Sequence, residues 1–185
     1  MTKTKQTWLV VGIVLLALVL DQWSKVYIKT HFELGEAREV FSWFWIVFVE
    51  NNGMAFGIEW FSKLLLTLFR IVAVGVIGWY IHTLIHKQTV RTGYLATVAM
   101  VIAGALGNII DCVCYGKIWG YADWFHGKVV DMLYFPLIRN AAGEVLFFRP
   151  VFNIADSFIT VAVLLIIIFY RKDLDASLAG VGKRK

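Results

Sequence analysis

Trp8-Leu9-Val10-Val11-Gly12-Ile13-Val14-Leu15-Leu16-Ala17-Leu18-Val19-Leu20 carries no charge, and it continues into Asp21-Gln22-Trp23-Ser24-Lys25-Val26-Tyr27-Ile28. Together these residues match the roughly 20 that a helix needs to cross a hydrocarbon core. Lys3 and Lys5 precede the run, as in a secretory leader. No small-x-small cleavage site follows, so it reads as a retained first span over residues 8–28. Three more apolar stretches qualify, at residues 64–85, 93–110 and 152–170. The 185 residues are 59% hydrophobic, with a mean hydropathy of +0.71. A soluble domain of that size needs more polar surface. No long polar linker, repeat or low-complexity stretch divides the chain. The expectation is a single integral-membrane domain over residues 1–185, of membrane all-α class with four transmembrane helices.

Orientation follows from basic residues beside the spans. Lys3, Lys5, Lys87, Arg91, Arg171, Lys172, Lys183, Arg184 and Lys185 are half of the chain's 18 lysines and arginines. They cluster before span one, between spans two and three, and after span four. The two longer loops dilute their basic residues among Glu33, Glu36, Glu39, Glu50 and Glu59. Both termini are therefore expected in the cytoplasm, with residues 29–63 and 112–150 facing outward. The same clusters account for the net charge of +5 by proximity to anionic lipid, so membrane lipids are expected partners and nucleic acid is not.

The outward loops are not plain coil. Residues 41–49 are apolar, too short to span and rich in β-formers, which predicts a strand. Asn51-Asn52-Gly53 ends it with turn chemistry. Val145-Leu146-Phe147-Phe148-Arg149 predicts a second strand. So aromatic a small sheet fits a β-cradle docked at the membrane interface, where Trp and Tyr are enriched.

Polar residues within spans are costly and usually mark function. Here they gather at one depth. Asp21 and Lys25 lie at i, i+4 in the outward half of span one. Gly104, Gly107, Asn108 and Asp111 share a face at the outward end of span three, and Asn153, Asp156, Ser157 and Thr160 share one at the start of span four. Asp131, within Val129-Val130-Asp131-Met132-Leu133-Tyr134-Phe135, lies between two outward span ends. Taken singly, each has a bland reading: an intrahelical ion pair, a span-end polar residue, an N-cap at Asn153. Jointly they predict a shared polar pocket.

Carboxylates sharing such a pocket can split one proton between them. The charged member activates water while the neutral one protonates a departing amine, which is amide hydrolysis without a covalent intermediate. Other chemistries fit less well. His82 and His86 have i, i+4 spacing but sit at the opposite end of span two, so no metal site is expected. Cys112 and Cys114 lack a nearby histidine. No cofactor-binding signature is present.

These residues resemble the lipoprotein signal peptidases, the signal peptidase II family, over nearly the whole chain. Asp21-Gln22-Trp23-Ser24-Lys25 is similar to the family's Asp-x-x-x-Lys element. Asn51-Asn52-Gly53-Met54-Ala55-Phe56 resembles its Asn-x-Gly-x-Ala-Phe element. Residues 104–111, Gly-Ala-Leu-Gly-Asn-Ile-Ile-Asp, resemble its Gly-x-x-Gly-Asn-x-x-Asp box, and Val129-Val130-Asp131 and Phe152-Asn153-Ile154-Ala155-Asp156 resemble its two aspartate segments. The resemblance implies an aspartyl endopeptidase of the bacterial inner membrane with its site facing outward. Its substrate would be a diacylglyceryl-modified prolipoprotein, cut before the lipid-bearing cysteine. Asp131 and Asp156 would form the dyad, supported by Asp21, Lys25, Asn51, Gly53, Asn108, Asp111 and Asn153.

Two departures stand out. Cys112 occupies the position where the family box usually continues with arginine, so Lys25, or Arg70 in span two, is expected to supply the missing charge. The stretch from Asp111 to Asp131 is longer than usual and contains Asp123, a competitor for the catalytic role. Two other classes remain in view. An ion-coupled transporter would show internal repeats and a midplane site. A packing factor using Gly104 and Gly107 would leave the acids without a task.

Overall fold

The computed structural model of the chain describes residues 1–52, 63–87, 90–139, 145–147 and 150–182. In order these form α1 (Lys3–His31), β1 (Ala37–Phe41), β2 (Phe44–Asn51), α2 (Lys63–Lys87) and α3 (Thr92–Ile110). A π-helical turn (Asp111–Tyr115) and the short α4 (Gly116–Ile118) come next. The chain then forms β3 (Val129–Tyr134), β4 (Ile138–Arg139), β5 (Val145–Phe147), β6 (Val151–Phe152), α5 (Ile154–Phe169) and α6 (Arg171–Gly182). Among the described residues three helical stretches are long and apolar enough to cross a membrane: α1, α2 and the Thr92–Ile118 run. A fourth qualifies only if α5 and Arg171–Ala179 are one span, and these are bent by 86°.

Two helix ends differ from the expectation. The third helix does not stop at Asp111. Residues 112–118 hold no proline, and the helix carries on through the π turn until Gly120, at φ +73°, ends the run. The last apolar helix begins at Ile154 rather than 152, because Phe152 pairs with Leu133 in the sheet. At 16 residues it is about 24 Å long, short of a core of about 30 Å.

The chain divides into two compact units. One comprises Met1–Val19, Phe69–Gly107 and Ala155–Lys185. Its core is Ile81, Leu84, Ile85, Tyr94, Leu95 and Val98. Gly104 allows close helix packing, because a Cβ there would run into the Ala155 carbonyl and Ile159. Arg91 secures the break between α5 and α6: its guanidinium donates to the Phe169 carbonyl (2.6 Å) and to Asp173 (2.6 and 2.8 Å). Tyr80 bonds both Tyr94 (2.7 Å) and the buried Ser177 of α6. The sequence had suggested only a basic tail there.

The other unit comprises Leu20–Leu68 and Asn108–Ile154. It holds an antiparallel sheet in the order β1-β2-β3-β6 and a separate β4-β5 pair. The single strand expected over 41–49 is instead a hairpin, turning at Ser42-Trp43 and running on to Asn51. Strand β3 had no clear signature, since four of its six residues are buried and its pattern does not alternate. Its backbone pairs Val49 with Asp131, Glu50 with Val130 and Asn51 with Val129. Ile28, Phe48, Tyr115, Val130 and Met132 form the core beneath the sheet. Phe41 and Trp43, both more than half exposed, stack at 5.4 Å at the hairpin tip.

Candidate active site

Asp131 sits at the third position of β3 and is 3% exposed. Its two oxygens have separate donors. Asn153 Nδ2 donates to Oδ1 at 2.7 Å and Asn51 Nδ2 donates to Oδ2 at 3.1 Å. The first donor comes from the link between β6 and α5, the second from the last residue of β2. Amide donors on both sides fix the plane of the carboxyl group.

Asn153, fully buried, gives its second amide hydrogen to Asn108 Oδ1 at 3.1 Å. The same oxygen accepts Lys25 Nζ at 3.0 Å. Lys25 is also fully buried and pairs with Asp21 and Asp111, each at 2.8 Å. Its three hydrogens thus have three acceptors, as a buried ammonium requires. Asp111 accepts Gln22 Nε2 at 2.9 Å and, more weakly, the Val130 backbone N–H at 3.4 Å. One continuous chain therefore runs from Asp21 and Asp111 through Lys25, Asn108 and Asn153 to Asp131.

The local sequence accounts for this placement. Asp21 and Lys25 are one helical turn apart on α1. Asn108 and Asp111 are three residues apart where α3 passes into the π turn, whose altered hydrogen bonding frees carbonyls. The Gly127 N–H donates to the Cys112 carbonyl (2.9 Å) and the Phe125 N–H to that of Val113 (2.9 Å). The long stretch after Asp111 thus folds back to satisfy the helix it follows. Gly127 is required there, because a Cβ would strike the Asp111 carbonyl.

A family model described as signal peptidase (SPase) II matches residues 13–171. The chain belongs to the signal peptidase II family. It is 40% identical over 204 residues to the lipoprotein signal peptidase of Porphyromonas gingivalis, covering 97% of this chain and 90% of that one. It is 35% identical over 191 residues to that of Amoebophilus asiaticus, covering 92% and 81%. A solved bacterial membrane enzyme aligns with a TM-score of 0.65 and 28% identity over 95% of this chain and 92% of that one. Like its relatives, this signal peptidase II is a bacterial integral-membrane peptidase.

The remaining site residues stand as follows in this signal peptidase II. Asp156 lies in the first turn of α5, which starts one residue after Asn153; it falls in the other compact unit from Asp131. Gly53 lies outside the described residues. Asp123 is 87% exposed and 3.6 Å from Lys117. Among the described residues no group of three or more His, Cys, Asp or Glu could hold a metal ion. Cys112 is 1% exposed, and Lys25 places a cation beside Asp111. Sequence reasoning missed Gln22, which donates to both Asp21 (3.1 Å) and Asp111 while accepting Tyr115 Oη at 3.1 Å. Its position directly after Asp21 was the available signal.

Proposed function

We propose that this signal peptidase II is an aspartic endopeptidase in which Asp131 and Asp156 share one proton. Its substrate is a diacylglyceryl-modified prolipoprotein, and it removes the signal peptide by cleaving before the lipid-bearing cysteine. The supporting observation is the buried Asp131 carboxylate, oriented at both oxygens by Asn51 and Asn153. Asp156 opens the helix that directly follows Asn153. In this reading the charged acid takes a proton from water as the water attacks the scissile carbonyl. The protonated acid donates to the carbonyl oxygen, and a proton then passes to the departing amine as the C–N bond breaks. Asp21, Lys25, Asn108 and Asp111 hold the Asn153–Asp131 geometry, and Asn51 and Gly53 complete the set that supports the site and its substrate.

The reading places one integral-membrane domain in the bacterial inner membrane with four spans and both termini in the cytoplasm. The aromatic sheet rests on the outer leaflet and the site faces outward, where an exported lipid-modified substrate presents its cleavage point. In purified enzyme given a lipid-modified prolipoprotein, Asp131→Asn and Asp156→Asn each abolish cleavage while the protein remains folded and inserted. Asp123→Asn retains turnover within about twofold, as expected of an exposed surface change. Turnover by either dyad variant refutes the aspartic reading, and loss in Asp123→Asn moves the dyad to that residue.

A further inference from the structure

Strand β2 carries a second cluster that the proposed reaction does not use. Side chains alternate along a strand, so Glu50 and Asn51 point to opposite faces. Asn51 shares the site face with Val49 and Asp131, while Glu50 shares the other with Phe48, Val130 and Met132. On that hidden face Glu50 pairs with Lys29 from the last turns of α1, and Lys128 Nζ lies 3.1 Å from its second oxygen. The Lys29 and Glu50 side chains are only 8% and 12% exposed. The Lys29 ammonium stands 5.5, 5.3 and 5.0 Å from the ring centroids of Phe48, Trp119 and Tyr121. Tyr121 Oη in turn accepts the Lys128 backbone N–H at 2.7 Å.

An exposed ion pair contributes little, but this one is ringed by aromatic faces that exclude water and attract the cation. It also joins three segments. Lys29 belongs to α1, Glu50 is the last residue but one of β2, next to Asn51, and Lys128 directly precedes β3. Trp119, Tyr121 and Lys128 all come from the long stretch between Asp111 and Asp131.

We propose that the Lys29–Glu50–Lys128 clamp is a positioning device for peptide cleavage, holding β2 and β3 in the register that lets Asn51 donate to Asp131. The inference rests on the reading of Asp131 as a catalytic acid. Glu50 touches no reacting atom and acts through its neighbour. Because Glu50 pairs with Val130 and Asn51 with Val129, a slide of β2 against β3 changes the 3.1 Å bond from Asn51 to Asp131.

The test uses the full-length enzyme in detergent or bicelles, with a lipid-modified prolipoprotein as substrate, measured well below the melting temperature. Glu50→Gln lowers kcat about tenfold with KM changed less than about twofold, since a misplaced catalytic group costs rate rather than binding. Lys29→Met gives a similar loss, and Lys29→Arg, which keeps the charge and the ring contacts, retains most of the turnover. The Lys29→Met/Glu50→Gln double variant is no slower than either single one, as expected of two halves of one device. A merely structural pair lowers the melting temperature but leaves kcat of the folded enzyme unchanged. That result overturns the proposal, and so does multiplication of the two single effects. Should Glu50→Gln not fold, Lys128→Met removes the more exposed cation; a kcat loss of about threefold supports the clamp and an unchanged kcat overturns it. Asp131→Asn in the same preparation separates the two readings. Turnover there removes the catalytic assignment, whereas an inactive Asp131→Asn beside a fully active Glu50→Gln removes the clamp alone.

Discussion

Replacing Lys25 by methionine probes the centre of the buried network. The substitution keeps most of the side-chain volume and removes one ammonium that serves three acceptors: Asp21 and Asp111 at 2.8 Å and Asn108 at 3.0 Å. Asp21, Lys25 and Asp111 are each no more than 1% exposed, so water cannot replace the lost partner. Breaking a buried ion pair from one side costs about 3–5 kcal/mol, and here two carboxylates are left facing one another. For a chain of this size, each kcal/mol moves the melting temperature by about 2–4 °C. The expected fall is on the order of 10 °C, read by a thiol-reactive or intrinsic-fluorescence melt in detergent. Activity falls as well, because Asn108 loses the donor that fixes its oxygen toward Asn153, and Asn153 in turn holds Asp131. Adding Asp111→Asn to Lys25→Met removes one of the stranded charges and restores part of the melting temperature. Cys112→Arg does not, because Cys112 is 1% exposed and the larger side chain overpacks the π turn. A Lys25→Met protein that melts within about 1 °C of the parent and cleaves at the parental rate refutes this account, as does a double variant less stable than Lys25→Met.

Gly127→Ala places a methyl group against the Asp111 carbonyl and within 2.9 and 3.0 Å of the Gly116 and Tyr115 nitrogens, so it destabilises by about 1–3 kcal/mol in a thermal melt. Burial alone would raise the Glu50 carboxyl, but hydrogen bonds and charge from Lys29 and Lys128 outweigh it and hold the group below its ordinary value of 4.5. That stabilisation is complete above the ordinary value and disappears as pH falls through the lowered one. Melts taken from about pH 6 down to about pH 3 therefore show the gap between parent and Glu50→Gln closing; a gap that stays constant contradicts the shift.

Much of this protein was legible before any coordinates. Apolar run length selected lipid as solvent, because a hydrocarbon core demands about 20 uncharged residues and little else imitates that pattern. The polar residues that interrupt the runs are few enough that Asp21, Lys25, Asn108, Asp111, Asp131 and Asn153 could be named together, and the structure joins all six in one hydrogen-bonded chain. Their order along the chain also carried the family. What stayed hidden depends on long-range pairing. Strand β3 has no period of its own, and its identity comes from β2 and β6 on either side. The π turn that begins at Asp111 is stabilised by N–H groups of Phe125 and Gly127, more than ten residues onward, so no local propensity announces it. That Lys25 stands beside both Asp21 and Asp111 depends on α1 meeting the end of α3, which no local pattern states. The role of Glu50 depends on a lysine 21 residues earlier and another 78 later meeting on the hidden face of a strand. Sequence alone settles which solvent each segment prefers, because transfer free energy is local and additive. Register and charge partners are collective properties of the packed chain, and only the tertiary structure decides them.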